Sequence, residues 1–208
     1  MFFSLYKDQI LGGIFMKKDS QLLRNVTLAM LVAMGVVISP ILRVEGLCPM
    51  AHLINITCSV FLGPWYSLLC ATLIGIIRMI FMGIPPLALT GAVFGAFLSG
   101  IFYRLSHGKL IAEVIGEIIG TGFIGSIISY PVMTLIWGKS DLTWFFYVPS
   151  FVLATLIGGT IAFLFLKALS KNFKGEVFLN YYHKERFYNF IQNQDLDIHN
   201  ISSRFIAN

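Results

Sequence analysis

Residues 144–166 read WFFYVPSFVLATLIGGTIAFLFL, a run of 23 positions without one charged side chain. A helix rises about 1.5 Å per residue and the hydrocarbon layer of a bilayer is about 30 Å thick, so this run is long enough to cross it. A soluble helix of the same length would need a polar face, and this one has none. Working outward, five further apolar runs stand at 22–41, 51–62, 65–82, 87–103 and 110–137. The run at 110–137 can span with tilt or with a kink at Pro131. The run at 51–62, closed by Gly63-Pro64, falls short of the roughly 20 residues that a span requires, and reads as tilted or partly re-entrant. The expected fold is all-α: a polytopic membrane protein with six transmembrane helices.

Composition agrees. Of 208 residues, 57% are hydrophobic and 12% charged, against roughly 25% charged in soluble domains. Too few charges remain to cover a water-facing surface, so lipid must solvate much of the chain. The net charge of +5 does not imply nucleic acid, because the basic residues gather at the ends of the apolar runs and never interleave with aromatics. With both termini cytoplasmic, the inner side receives 12 of the 15 basic residues, and Arg43, Lys139 and Arg78 lie on the outer side. That is a positive-inside bias, and it favours an even number of spans in a cell membrane. Trp137, Trp144 and Tyr147 then form an outer aromatic belt.

Residues 1–21 read as a cytoplasmic extension in which Met16, before Lys17-Lys18, is a candidate start. No signal-peptide cleavage site follows a short apolar stretch there. Residues 22–171 form the membrane domain, and 172–208 a polar cytoplasmic tail with a short surface helix expected at 181–191. Cys48, Cys58 and Cys70 fit neither a metal site nor a disulfide scaffold, and Cys58 and Cys70 read as packing residues. No metal or cofactor is expected. Gly138-Lys139-Ser140 resembles the end of a phosphate-binding loop, but Met133 stands where that loop requires glycine. No hydrolase or protease motif is present, and no enzyme is expected.

Helices in lipid associate through small residues that let backbones approach. Such rows run through Ala29 and Ala33, through Gly91, Gly95 and Ser99, and through Ser150, Ala154, Gly158 and Ala162. Internal packing accounts for most of them; a docking face for another membrane protein is the other reading for Ala29 and Ala33. Ionisable groups are expensive in lipid, about 2.5–3.5 kcal/mol each at a helix centre, so the few present are candidates for function. Glu113, Gly116, Glu117, Gly120 and Thr121 share one helical face. Glu113, near the inner end, can reach water; Glu117 lies deeper, as a structural carboxyl, a ligand contact or a coupling group. His52 and Asn55, three residues apart, form a candidate binding pair. Arg78 reads as a snorkelling side chain near the outer interface or as a ligand contact. Tyr130 precedes Pro131, which frees a backbone carbonyl for a ligand or a hydroxyl.

The run Pro49-Met50-Ala51-His52-Leu53-Ile54-Asn55, followed by Leu62-Gly63-Pro64-Trp65-Tyr66, resembles the substrate-binding (S) components of energy-coupling factor (ECF) transporters, and most closely their ThiW type. Glu117-Ile118-Ile119-Gly120-Thr121-Gly122, Ser129-Tyr130-Pro131-Val132, Gly91-Ala92 with Gly95-Ala96, and Val148-Pro149-Ser150 extend the likeness over about 22–171. Two places depart from the pattern. Ala88-Leu89-Thr90-Gly91 stands where Phe-Pro-Gly-Ser is usual, and Leu47 stands where a basic residue often precedes Cys-Pro. They leave the fold expectation intact and the substrate open.

The resemblance implies a six-helix protein that captures a thiazole-type thiamine precursor from outside, while an ECF transmembrane coupling protein and ATPase subunits supply the energy. It implies docking of the coupling subunit on Ala29 and Ala33. The expected substrate is a small, largely neutral heteroaromatic such as hydroxyethylthiazole. His52 and Asn55 would hydrogen-bond it, Glu117 would contact it or couple to it, and Tyr130, Trp144 and Tyr147 would supply aromatic walls. A proton-linked secondary carrier built on Glu117 is the alternative, although the chain shows no internal repeat of the kind such carriers carry.

Overall fold

A computed structural model of the chain describes residues 21–41, 48–139 and 142–172. The described residues are helical and contain no strand. Six helices follow one another: α1, Gln21–Ile38; α2, Pro49–Leu62; α3, Pro64–Met82; α4, Leu87–Leu105; α5, Leu110–Leu135; and α6, Val148–Asn172. Five are long and apolar enough to cross a bilayer, and α2 is the shorter apolar one. The chain is a multi-pass helical membrane protein. The extension at 1–20, the tail after 172 and its expected surface helix lie outside the described residues. The chain divides into two compact units, 1–164 and 165–208. The described part of the second, 165–172, is helical.

Local chemistry sets the helix ends. Pro49 and Pro64 open α2 and α3, where a missing N–H leaves no bond unmade. The single residue between these helices is Gly63, with φ of 82° and ψ of 178°. That conformation disfavours a side chain and lets the chain reverse within one residue. α6 begins at Val148 rather than at Trp144. Residues 144–147 wind as turns instead, closed by Phe146 N–H to Thr143 O (3.0 Å) and Val148 N–H to Phe145 O (3.2 Å).

Fourteen residues give α2 a length of about 21 Å, less than the bilayer core. None of its residues is exposed. A helix ringed by its neighbours need not match the lipid, which explains how the shortest apolar run can stand at the centre. It packs on α3, α4 and α5. One apolar cluster joins Leu28, Leu31 and Val32 of α1 to Ile54 and Cys58 of α2 and to Cys70 and Ile74 of α3. α6 closes on α2 at Gly158, where a Cβ would strike the carbonyl of Pro49. Leu22, Val26, Met30 and Val37 of α1 point outward, and so do Ala29 and Ala33.

The winding of α5 changes at Ile118–Gly125, a π-helical stretch, rather than at Pro131. Its inward row is Glu113, Glu117, Thr121, Gly125, Ser129 and Met133, one residue in every four. In an α-helix each such step drifts by about 40°, so five steps would carry the row roughly 200° round the axis. The wider π turns take up much of that drift and keep the row facing inward. Serine hydroxyls cap carbonyls of this stretch: Ser126 Oγ donates to Gly122 O (2.6 Å), and Ser129 Oγ to Gly125 O (2.6 Å).

Candidate functional site

The inward row of α5 meets glycines of α4. A Cβ on Gly116 would come within 2.8 Å of Leu98 O and 2.9 Å of the Ser99 Cα; one on Gly120 within 2.6 Å of the Gly95 Cα; one on Gly125 within 2.9 Å of Gly91 O. Backbone therefore lies on backbone, as small-residue packing in lipid requires. The closeness presses the carboxyl of Glu117 against α2.

There Glu117 gathers three partners on one oxygen. His52 Nδ1 lies 2.8 Å from Oε1, Asn55 Nδ2 donates to it at 3.1 Å, and Thr121 Oγ1, one turn on, donates at 3.2 Å. All four side chains are buried, Glu117 completely. Its second oxygen, Oε2, is buried and has no hydrogen-bond partner. A buried polar atom left unmatched costs about 1–3 kcal/mol, so Oε2 is an acceptor held in reserve. Gly95 makes room for the cluster, since a Cβ there would overlap Thr121 Oγ1 and come within 2.8 Å of Glu117 Oε2.

Asn55 also faces a small cavity between α1, α2, α3 and α4, bordered by Ser39, Ile74, Arg78, Ala88 and Ala92 among others. The cavity has room for about one water molecule, so anything larger would enter only if the surrounding helices separated. Arg78 is 4% exposed. This corrects the snorkelling expectation: the side chain turns inward because Ala71 and Gly75 leave room on that face of α3. Its Nη1 and Nη2 each lie 3.8 Å from Cys48 Sγ, and Cys48 Sγ donates to Ser39 O at 2.9 Å. Arg78 Nε and Ser39 Oγ are buried and have no hydrogen-bond partners among the described residues.

Glu113 does not reach water, contrary to expectation. It is fully buried and receives the hydroxyl of Ser59, which α2 presents two turns beyond His52.

Of the expected site residues, the fold brings His52, Asn55 and Glu117 together. The aromatics gather elsewhere. Tyr130 and Trp144 stack with centroids 4.5 Å apart, and Trp144 is 55% exposed. Tyr147 is buried in a cluster with Leu87, Met133 and Phe151. None of the three borders the cavity. The reading of residues alone missed Thr121 as a partner of Glu117, Ser59 as a partner of Glu113, and the Cys48–Arg78 contact. The helical face shared by Glu117 and Thr121 signalled the first of these.

Comparison with known proteins gives one positive result. The family model described as "Thiamine-precursor transporter protein (ThiW)" matches residues 26–172. No curated protein and no solved structure matches the chain.

Proposed function

The chain belongs to the ThiW family of thiamine-precursor transporters, and from that premise we propose that it is the substrate-capture component of an ECF-type importer for a thiazole-type precursor. As a member of a transporter family, it moves a small molecule and is no enzyme. The observation that supports a capture role is the buried cluster of His52, Asn55, Thr121 and Glu117 beside a closed cavity. Donors already oriented by Glu117 would turn to the ring nitrogen or hydroxyl of the ligand, and Glu117 Oε2 would accept from that hydroxyl. Tyr130 and Trp144, in tilted ring contact, and Tyr147, in its own buried cluster, would offer aromatic walls to the flat ring as it enters. Stacked rings add about 0.5–1.5 kcal/mol beyond burial.

In the same proposal both termini are cytoplasmic. The coupling protein docks on the outward face that carries Ala29 and Ala33, and ATPase subunits supply the energy. Calorimetry on the purified chain with hydroxyethylthiazole tests capture; absence of heat with thiazole and related precursors refutes the substrate. Uptake measured with and without the coupling and ATPase subunits tests the energy source. The buried carboxyl of Glu117, with one oxygen unmatched, favours one competing reading, a proton-linked carrier. Uptake driven by a pH gradient without those subunits would decide for it.

A further inference from the structure

Arg78 is 96% withdrawn from the surface. No carboxylate among the described residues lies within ion-pair distance of it. Among the described residues its polar contacts are two long ones to a sulfur, and its Nε has none. A charge in this position in lipid is rare unless paired, and unpaired ones mark ligand sites. A second buried donor, Ser39 Oγ, borders the same cavity and has no hydrogen-bond partner among the described residues; Asn55 borders it too, with its amide nitrogen engaged by Glu117 Oε1 and Ala92 O. Guanidinium and hydroxyl converging on one space form a receptor for an oxyanion, and arginine suits that role because its fork meets two oxygens at once.

We propose that the cavity at Arg78, Ser39 and Asn55 is an oxyanion subsite, and that the transported precursor carries a carboxylate or phosphate group which it neutralises. This rests on the reading of the chain as a thiazole-precursor importer and departs from the expectation of a neutral ligand. Asn55 joins the two halves of the site, since its amide reaches Glu117 Oε1 on one side and borders the cavity on the other. The ring would lie toward His52 and Glu117, and the anionic group toward Arg78.

The test uses the full chain in non-ionic detergent. Affinities are measured by calorimetry for hydroxyethylthiazole, its phosphate monoester and a thiazole carboxylate. Alkylation of Cys48 is followed in parallel; it is the half-buried cysteine, whereas Cys58 and Cys70 are buried. The wild-type protein should prefer an anionic form over the alcohol by roughly 10- to 100-fold, the range expected for hydrogen bonds to a charged group. The same form, and inorganic phosphate at higher concentration, should slow labelling of Cys48. Arg78→Gln should bring the preference to about one, and Arg78→Lys should restore part of it; Ser39→Ala should reduce it without touching the charge.

Equal affinity for alcohol and anion, or a preference that survives Arg78→Gln in a protein with unchanged thermal unfolding, overturns the subsite. If no thiazole binds but phosphate still protects Cys48 in the wild type and not in Arg78→Gln, the subsite stands and the thiazole reading falls. Protection by phosphatidylglycerol vesicles alone, with none by soluble anions, assigns the contact to a lipid headgroup and overturns the substrate role. No protection by any anion overturns it as well.

Discussion

Replacing Gly95 by alanine adds one carbon at the point where α4 touches the Glu117 cluster. That carbon would overlap Thr121 Oγ1 and stand 2.8 Å from Glu117 Oε2, whereas ordinary contact begins at 3.4 Å. The carboxyl must therefore retreat by about 0.6 Å. Thr121 Oγ1 must turn away, which breaks its 3.2 Å bond to Glu117, and the carboxyl is driven against His52 and Asn55 of α2. The helices cannot yield instead, because Gly120 already lies on the Gly95 backbone. Overpacking of this kind costs about 1–3 kcal/mol, and the broken hydrogen bond about 1 more, which places the total near 2–4 kcal/mol. If about 2 kcal/mol of that falls on the bound state, affinity drops roughly 30-fold. Calorimetry with the precursor and thermal unfolding in detergent read the two parts. Gly122→Ala is the control: it lies in the π stretch next to Thr121, but its Cβ would come closer than ordinary contact to Val152 Cγ2 alone, at 3.1 Å, and should change either quantity little. Wild-type affinity and unfolding temperature in Gly95→Ala would show that the carboxyl is not held against α4 as described.

Four further outcomes are expected. Glu117→Ala, which strips His52, Asn55 and Thr121 of their shared acceptor, should destabilise the protein by about 2–4 kcal/mol and abolish binding; a stable, binding-competent variant would remove Glu117 from the site. Ser59→Ala leaves buried Glu113 without its hydroxyl partner and should lower stability by about 1–3 kcal/mol in thermal unfolding, with ligand affinity little changed. Ala29→Trp with Ala33→Trp, both on the outward face of α1, should keep wild-type unfolding and ligand binding but lose uptake in cells; uptake that persists contradicts docking there. A cysteine placed at Lys109 should react with a membrane-impermeant maleimide only from the cytoplasmic side, and one at Lys139 only from outside; the reverse pattern would invert the proposed orientation.

Much of the fold was legible because lipid imposes a simple code. Runs of apolar residues marked the helices, and Gly63-Pro64 marked the reversal between α2 and α3. The start of α6 was less legible: residues 144–147 are as apolar as the helix that follows, and hydrophobicity alone does not separate a turn from a first helical turn. At the site, His52, Asn55 and Glu117 stood out as polar groups where polar groups are expensive. Their convergence did not, because it depends on how close α4 and α5 approach, which the glycines permit but do not dictate. Arg78 shows the same limit. Position near a helix end suggested that it reaches outward, and only its neighbours at Ala71 and Gly75 turn it in.

The π stretch carries a consequence for how α4 and α5 count against each other. Gly91 meets Gly125, Gly95 meets Gly120 and Ser99 meets Gly116. From 91 to 99 is eight steps and from 116 to 125 is nine, so α5 hides one surplus residue between its contact points. The seam between them works like a vernier, two scales of different pitch brought into coincidence at both ends. Shortening α5 by one residue within 121–124 would make the two scales equal and leave both end contacts in place, whereas lengthening it by one would throw them out of step.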